Sequence, residues 1–269
     1  MQDIVKYNNY LNCINLSSFE KRDYDIFFSL CAKVRDMEGE EVTLSFSYIK
    51  QLIEYKRGST ISEFAGELLQ MNKKLGDITC TLETTSEIVM FHLFNTFRIN
   101  IEKQTLKITV NEPFRFIVNG IADNFTRFEL AEFVSLESKY SKTLYRLFKQ
   151  FRTTGVYRCR MDDLRKVLGC PESYKNKRVM SEIIKPAVEE LREKVWHNLT
   201  MEPVYEKKRG RPIKGLIFRY GPEELPGNIV PAVGKRPAGR RNAFNDFEQN
   251  EYDFDELEKD ILDNYTEGF

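Results

Sequence analysis

The sequence predicts an α+β fold that consists of two copies of one small unit. The first observation is an order of elements that occurs twice, namely a helix, a short strand, two further helices and a β-hairpin, with a period of roughly 120 residues. The second is the composition, because 41% apolar and 13% aromatic residues in a chain of 269 are enough to bury a core. The third is a C-terminal segment that lacks this order and is rich in proline, glycine and acidic residues.

The first unit is predicted from apolar residues at helical spacing, followed by β-rich runs separated by turns. Ser47 is the predicted cap of the second helix, and Ser59 or Thr60 is the predicted cap of the third. In chain order the predicted elements are a helix at 19–35, a strand at 42–46, helices at 48–55 and roughly 60–74, β-rich runs at 78–83, 88–102 and 105–111 with a turn at 102–104, and a helical piece at 112–119.

The second unit repeats this order after a predicted connector around residues 120–137. Its first helix turns Leu144 and Phe148 inward and ends at Gly155, and Asp162 is the predicted cap of its second helix. The predicted elements are a helix at 138–154, a strand at 156–161, a helix at 163–169, a long helical region at 176–195 interrupted by Pro186, and strand-like runs at 199–206 and 216–220.

A basic turn joins the last two strand-like runs. Residues 207–214 hold five positive charges around Arg209-Gly210-Arg211-Pro212. Glycine permits a close approach of the backbone, and proline holds the chain extended. Two arginines on such a tip can enter the narrow minor groove of A·T-rich DNA, where negative potential is concentrated. A solvated hairpin tip is the alternative interpretation, because most charged runs are solvated.

Three helices, a short strand and a basic hairpin form a winged helix, in which the third helix lies in the major groove and the hairpin, or wing, contacts the backbone or minor groove. We therefore expect two tandem winged-helix domains related by duplication, over residues 1–120 and 121–220. Residues 221–244 are predicted to be a linker with a second basic cluster at 235–241, and residues 245–269 a disordered acidic tail.

The third helix of the second unit is the predicted main reader of DNA, because lysine and arginine at the start of such a helix can bond guanine or phosphate. The third helix of the first unit carries fewer positive side chains, which favours phosphate contact over base contact; a packing or dimer-forming helix is the alternative. The predicted DNA-binding residues are Lys175, Lys177, Arg178, Ser181, Lys185, Lys207, Lys208, Arg209, Arg211, Lys214, Arg152, Arg158, Lys56 and Arg57.

The sequence gives little support for catalysis. His92 and His197 are the two histidines, so the chain lacks the HxH pair that a strand-nicking replication nuclease uses, and it also lacks a GxxxxGK[ST] phosphate loop. Five cysteines without a CxxC pair indicate free thiols in a reducing cytosol rather than a zinc site. No apolar run is long enough to span a membrane. We expect a cytoplasmic DNA-binding protein that is not an enzyme and needs no cofactor or metal.

Charge is divided unevenly along the chain. Residues 245–269 hold ten acids and one base, a net charge of −9, which leaves +9 on the remainder of a neutral chain. A basic body indicates a polyanionic partner. Phe254, Leu257, Ile261 and Leu262 fit one face of a short helix, so the tail is predicted to fold on a partner. Folding back onto the basic body, as autoinhibition, stays open.

Several segments resemble one family. They are FTRFEL (125–130), YSKTLYRLFKQFRTTG (140–155), MDDLRKVLG (161–169), KRVMSEIIKPAVEEL (177–191) and the opening NNYLNCINLSSFEKRDYDIFFSLCAKVRD (8–36). Over roughly residues 5–220 the chain resembles plasmid replication initiator (Rep) proteins of the tandem winged-helix type, from Gram-positive theta-replicating plasmids with iterons. The acidic tail is similar to a C-terminal segment found on varied DNA-handling proteins of mobile elements.

The resemblance implies a non-enzymatic initiator that binds directly repeated origin DNA as a monomer. The second domain reads one end of each repeat, and the first domain contacts the other end through the backbone. It further implies melting of adjacent A·T-rich DNA, recruitment of the host initiator and helicase, and dimers, formed mainly through the first domain, that repress the initiator's own gene. The alternative is a tandem winged-helix transcription regulator without a replication role, because both would share one fold.

Overall fold

The structure is a computed structural model that describes residues 3–35, 41–56, 58–83, 88–119, 124–208 and 210–223. The predicted acidic tail and nearly all of the predicted linker lie outside the described residues. So do Arg57 and Arg209, two of the predicted DNA-binding residues.

The first domain alternates helices and strands in the predicted order, with one additional strand at its start and a 3-10 turn at Asn9–Asn12. Its strands are β1 (Ile4–Asn8), β2 (Glu41–Ser45), β3 (Cys80–Glu83), β4 (Ile88–Phe91), β5 (Phe94–Asn100) and β6 (Thr105–Val110). Its helices are α1 (Lys21–Arg35), α2 (Phe46–Leu52), α3 (Ile61–Gly76) and α4 (Glu112–Asn119).

We refer to the described residues from 124 onward as the second domain, following the predicted boundary, and the helix, strand, two helices and hairpin recur within it. Its strands are β7 (Phe125–Glu129), β8 (Val156–Arg160), β9 (Thr200–Tyr205) and β10 (Ile213–Arg219). Its helices are α5 (Leu130–Ser135), α6 (Lys139–Gln150), α7 (Met161–Val167), α8 (Asn176–Val179) and α9 (Lys185–Lys194), with a π-helical turn, Met180–Ile184, between the last two. We refer to the continuous element over residues 176–194 as the α8–α9 helix.

Each domain contains a three-stranded antiparallel sheet, and the two sheets share one strand order, β2-β6-β5 in the first domain and β8-β10-β9 in the second. In both, the strand before the short second helix pairs with the last strand of the hairpin, as Val42 does with Ile108 and Cys159 with Leu216. This shared topology confirms the prediction of two winged-helix domains. The hairpins β5–β6 and β9–β10 are the two wings.

A separate strand pair joins the two domains. β1 runs antiparallel to β7, with Val5 opposite Phe128 and Tyr7 opposite Thr126. These four side chains are buried. The predicted connector at 120–137 is therefore wrong for its described part, because β7 and α5 lie within it. The predicted domain boundary at residue 120 stays a prediction, since it falls in the undescribed residues 120–123.

One aromatic core runs from the first domain into the second. Phe28 of α1 lies 5.1 Å from Phe133 of α5, and Phe133 lies 5.8 Å from Tyr145 of α6, between ring centroids. Tyr145 in turn lies 5.6 Å from Trp196. Aromatic pairs at these separations add to the area that they bury. Aromatic packing is therefore continuous from α1 through α5 and α6 to Trp196.

A buried ion pair crosses the same junction. Lys142 of α6 lies with its Nζ 2.6 Å from the Oδ1 of Asp25 on α1, and both side chains are almost fully buried. The Lys142 ammonium also donates to the backbone oxygens of Phe133 and Val134 at the end of α5. Burial lowers the pKa of Lys142 to about 8, although the charge of Asp25 opposes the shift. This pair holds three helices from both domains at one point.

Local hydrogen bonds show which of the predicted helix caps form. Thr60 caps α3 in a reciprocal capping box with Glu63, as predicted. The first helix of the second unit is shorter than predicted, because α6 ends at Gln150 and a turn over residues 151–155 follows, in which Gly155 lies at φ +64°. Two predicted caps are wrong. Ser45, rather than Ser47, accepts the hydrogen bond that caps α2. α7 begins at Met161 without a side-chain cap, so Asp162 is its second residue.

Two features are absent from the described residues, namely a membrane-spanning helix and a cluster of metal ligands. Within them, no helix has the length and apolar character needed to cross a bilayer, and no three His, Cys, Asp or Glu side chains are grouped to hold a metal ion. The sequence predicts buried thiols, and Cys31, Cys80 and Cys159 are buried, whereas Cys13 is exposed and Cys170 is half-buried. His197, just after the end of α9, contacts the backbone oxygen of Arg192 at 3.1 Å.

Candidate nucleic-acid interface

The turn before the α8–α9 helix is fixed by one arginine. Arg165 of α7 donates from Nη1 to the backbone oxygen of Tyr174 at 2.6 Å and to the Oδ1 of Asn176 at 2.9 Å. Its Nη2 also approaches the oxygen of Pro171 at 3.4 Å. The start of the α8–α9 helix is therefore tied to α7, in keeping with the helix pair that precedes the wing in this fold.

A proline inside the α8–α9 helix explains its π-helical turn. Pro186 has no backbone N–H, and its ring would clash with the carbonyl four residues earlier in a regular helix. The chain widens by one residue just before it, so that the N–H of Lys185 bonds the oxygen of Met180, five residues back. The predicted interruption by Pro186 thus takes the form of a π-helical turn, and the helical region continues through it.

The α8–α9 helix has one buried and one exposed face. Val179, Ile183, Val188 and Leu191 are buried, as predicted. The five side chains predicted to read DNA are all exposed, and the structure brings them onto the outer side of the first half of the helix. They are Lys175, Lys177, Arg178, Ser181 and Lys185. Their role in binding DNA stays a prediction.

Arg178 is held in one orientation on this face. Its Nε donates to both carboxylate oxygens of Glu182 at 2.9 Å, and its guanidinium carbon lies 3.8 Å from the centroid of the Tyr174 ring. The side chain is still 54% exposed. Sequence reasoning missed both partners, although Glu182 lies four residues after Arg178, the spacing at which helical side chains meet.

Glu190 anchors the α8–α9 helix to α6. Its carboxylate accepts from the backbone N–H of Glu137 at 2.5 Å and of Ser138 at 3.2 Å, just before α6, and from the hydroxyl of Ser141. Burial alone would raise the pKa of Glu190, but these bonds and Lys194 outweigh it and lower the pKa. The helix is thereby fixed in orientation relative to the domain.

The second wing has a tightly folded tip. Glu206 donates its N–H to the oxygen of Pro212, and Arg211 donates to the oxygen of Lys208, both at 2.9 Å. Gly210 lies at φ +84° and Arg211 at φ +42°, a conformation that non-glycine residues adopt rarely. The Arg211 guanidinium lies 5.2 Å from the Tyr205 ring. Lys207, Lys208 and Lys214 are exposed on the same hairpin.

Strand β8 adds two arginines beside the wing. Arg158 and Arg160 are both exposed and, being two residues apart on one strand, lie on the same face. Arg158 stands opposite Ile217 of β10, and Arg160 opposite Gly215. The sequence analysis singled out Arg158 alone, although the alternation of a strand is the signal that would have included Arg160.

Arg152 is not part of this surface. It is only 6% exposed, and its Nη1 donates to the backbone oxygen of Phe125 at 2.9 Å while the guanidinium lies 4.6 Å from the Phe125 ring. The prediction that Arg152 contacts phosphate is wrong for this reason. Its charge is used to hold α6 against β7, at the junction of the two domains.

The first domain offers a weaker surface, as the sequence indicates. Lys56 is exposed before α3, and Arg57 lies outside the described residues. At the start of α3, Glu63 accepts from the N–H and hydroxyl of Thr60, which places a carboxylate where a phosphate would approach. Lys73, on the last turn of α3, is also exposed.

Together these features define a class, that of tandem winged-helix proteins with one strongly and one weakly cationic domain. The family described as "Initiator Replication protein, WH1" matches residues 4–149, and its companion "Initiator Rep protein, WH2" matches residues 160–220. The chain belongs to this family of replication initiators. The resemblance noted in the sequence is thereby confirmed.

One curated relative and two solved structures show the extent of the similarity. A "Probable replication protein rep" of Bifidobacterium longum (strain NCC 2705) is 32% identical over 237 residues, which cover 87% of this chain and 76% of the relative. The fold is similar to that of the Pi initiator protein, solved in complex with iteron DNA, with TM-score 0.65, 16% identity and coverage of 83% of this chain and 99% of that one. It is also similar to domains 2 and 3 of RctB, with TM-score 0.50, 12% identity and coverage of 76% and 83%.

Proposed function

We propose that this protein initiates plasmid replication by binding iterons, the repeated sequences of an origin, without catalysing a reaction itself. The single observation that carries the binding surface is the cluster of exposed cations on the α8–α9 helix, held at both ends by Arg165 and Glu190. Family membership supports the initiator role. The Pi protein, whose fold this chain shares, was solved with iteron DNA.

The two domains contact different ends of each repeat. The second domain places the α8–α9 helix in the major groove and its wing, with Arg211 and Arg209, along the backbone or minor groove. The first domain holds the other end of the repeat through phosphate contacts from Lys56 and Arg57. Two groove-reading units about two helical turns apart suit repeats of roughly 20 bp.

A DNase footprint on the DNA that flanks the gene tests this proposal. We expect protection of tandem repeats in phase with the DNA helix, beside an A·T-rich stretch. Protection of a single inverted repeat over the promoter, and nothing else, would instead establish a repressor without a role at the origin.

Arg178→Ala tests the placement of the reading helix. Losing a bidentate contact to guanine costs about 1–3 kcal/mol at one base pair, so the variant should bind the repeat more weakly and tolerate substitutions at that position. Competition binding against a set of repeats, each with one altered base pair, measures this. A wild-type base profile for the variant would mean that another element reads the DNA.

We further propose that the protein self-associates through its first domain and represses its own gene as a dimer. In the first domain, β4 carries two strongly exposed apolar side chains, Ile88 at 61% and Met90 at 67%. A strand of this kind favours pairing with a second copy. Met90→Lys should shift sedimentation toward monomer and weaken repression of a reporter promoter, while binding to single repeats is kept. Unchanged dimerisation would place the interface elsewhere.

The proposed partners beyond DNA are the host replication initiator and helicase, in the cytoplasm. His92 and His197 each contact a backbone oxygen, of Ile78 and Arg192, which supports a structural role for both. A nicking assay on supercoiled origin DNA with Mg²⁺ or Mn²⁺ should leave the DNA intact. Nicked product that depends on the protein would overturn the non-enzymatic proposal.

A further inference from the structure

An acidic residue stands in the middle of the cationic reading surface. Over residues 175–185 the sequence contains Lys175, Lys177, Arg178 and Lys185, and Glu182 is the one acid. A carboxylate at this place repels phosphate and so weakens binding to any DNA. Its presence on the exposed face is therefore expected to serve something other than affinity.

The contacts of Glu182 indicate that its role is to hold Arg178. Both of its oxygens accept from the Nε of Arg178 at 2.9 Å, and the Tyr174 ring supports the guanidinium at 3.8 Å from the other direction. The Nε side of the planar guanidinium is thereby engaged. The opposite end, which carries the two Nη groups, is not engaged by Glu182, and two parallel N–H donors are what recognition of guanine O6 and N7 needs.

The ring that supports Arg178 is itself anchored. The backbone oxygen of Tyr174 accepts from Arg165 of α7 at 2.6 Å, and the N–H of Tyr174 donates to the oxygen of Pro171 at 3.0 Å. Arg178 is thus clamped between the helix and a fixed turn, before any DNA is bound.

We propose that Tyr174 and Glu182 are positioning residues that set the base specificity of this initiator by holding Arg178 ready for one guanine. This inference rests on the proposed function. A preorganised arginine loses less conformational freedom on binding, and the saving for one long side chain corresponds to about a two- to tenfold gain in affinity for the correct base. The same clamp keeps Arg178 away from phosphates, which lowers affinity for unrelated DNA.

Competition binding against the single-base-pair set, together with binding to unrelated duplex, tests the clamp in the full-length protein. Glu182→Gln and Tyr174→Leu should each reduce discrimination by about two- to tenfold at the one base pair that Arg178→Ala relaxes. Glu182→Gln should also bind unrelated duplex more tightly at low salt. Tyr174→Phe keeps the ring but loses the hydroxyl that hydrogen-bonds Arg178, so it should keep more of the wild-type discrimination than Tyr174→Leu.

Glu189→Gln is the matched control, because it removes the same charge from the same helix. Glu189 pairs with Arg192 at 2.5 Å, beyond the reading surface, so its removal should leave discrimination at that base pair unchanged. If Arg178→Ala relaxes one base pair while Glu182→Gln and Tyr174→Leu do not, the clamp is overturned and the proposed function stands. If the wild-type protein shows no preference for the repeats, the proposed function itself fails.

Discussion

Replacing Lys142 with methionine tests how firmly the two domains are joined. Methionine has a similar length but no charge, so Lys142→Met leaves the carboxylate of Asp25 buried without its partner at 2.6 Å. Breaking a buried ion pair in this way costs about 3–5 kcal/mol of unfolding free energy. Lys21, 3.0 Å from the other Asp25 oxygen and partly exposed, offsets some of that loss. We therefore expect a value near the lower end, about 3 kcal/mol.

Urea unfolding measures this loss with a built-in probe. Trp196 is the single tryptophan and is buried in the second domain, so its fluorescence reports that domain, while far-ultraviolet circular dichroism reports the whole chain. The control is Lys139→Met on the same helix. Lys139 also crosses to the first domain, pairing with Glu20 at 2.7 Å, but at the surface, so its loss should cost less than about 1 kcal/mol.

A double variant separates the charge from the packing. Asp25→Asn combined with Lys142→Met removes both charges, and replacing both members of a buried pair is far less costly than removing one. The double variant should therefore be more stable than Lys142→Met alone. The reasoning would be refuted if Lys142→Met and Lys139→Met lost equal unfolding free energy, or if the double variant were less stable than Lys142→Met alone.

Three further outcomes are expected. Burial lowers the pKa of Lys142 to about 8 from its ordinary 10.5, so the unfolded chain binds more protons than the folded chain between those pH values. The stability of the wild type relative to Lys142→Met should therefore rise with pH across that window. A stability difference that does not change with pH in urea titrations would contradict this. Gly155→Ala should lower the free energy of unfolding by more than about 1 kcal/mol, because Gly155 lies at φ +64° and a Cβ there would lie 2.4 Å from the Tyr220 oxygen. Gly66→Ala in α3 meets open space and should stabilise the protein, and equal shifts of the two variants in thermal unfolding would contradict this prediction. Lys207→Ala should weaken binding to all duplexes alike and reduce the slope of log affinity against log salt by about one, and loss confined to the repeat sequence would contradict a phosphate contact.

Local patterns were sufficient for the order of elements within each winged helix, but they missed β1, β7 and α5. Helical spacing of apolar residues and the turn residues between them predicted both winged-helix domains, because these signals depend on neighbours in sequence. The caps of α2 and α7 were each misplaced by two residues, since several hydroxyls and carboxylates compete near each helix start and only the backbone geometry decides between them.

Long-range partners were beyond the same reasoning. Arg152 looked like a surface cation but lies against Phe125, which is distant in sequence, and Lys142 lies on a helix whose pattern gives no sign of Asp25. The cationic face of the α8–α9 helix was predicted, whereas its clamp was not, because a single acid among bases is usually an ordinary i,i+4 pair. Burial and distances were needed to distinguish these cases.

The pairing of β1 with β7 has a consequence for the order in which the protein is made. Residues 4–8 leave the ribosome before their partner strand, Phe125–Glu129, which emerges only after the rest of the first domain. Until then Val5 and Tyr7 lack the strand that pairs with theirs, and β1 presents an unpaired edge. The nascent first domain should therefore stay unfinished and prone to aggregation until synthesis has passed residue 129, and a chain truncated before Phe125 should need a chaperone to stay in solution.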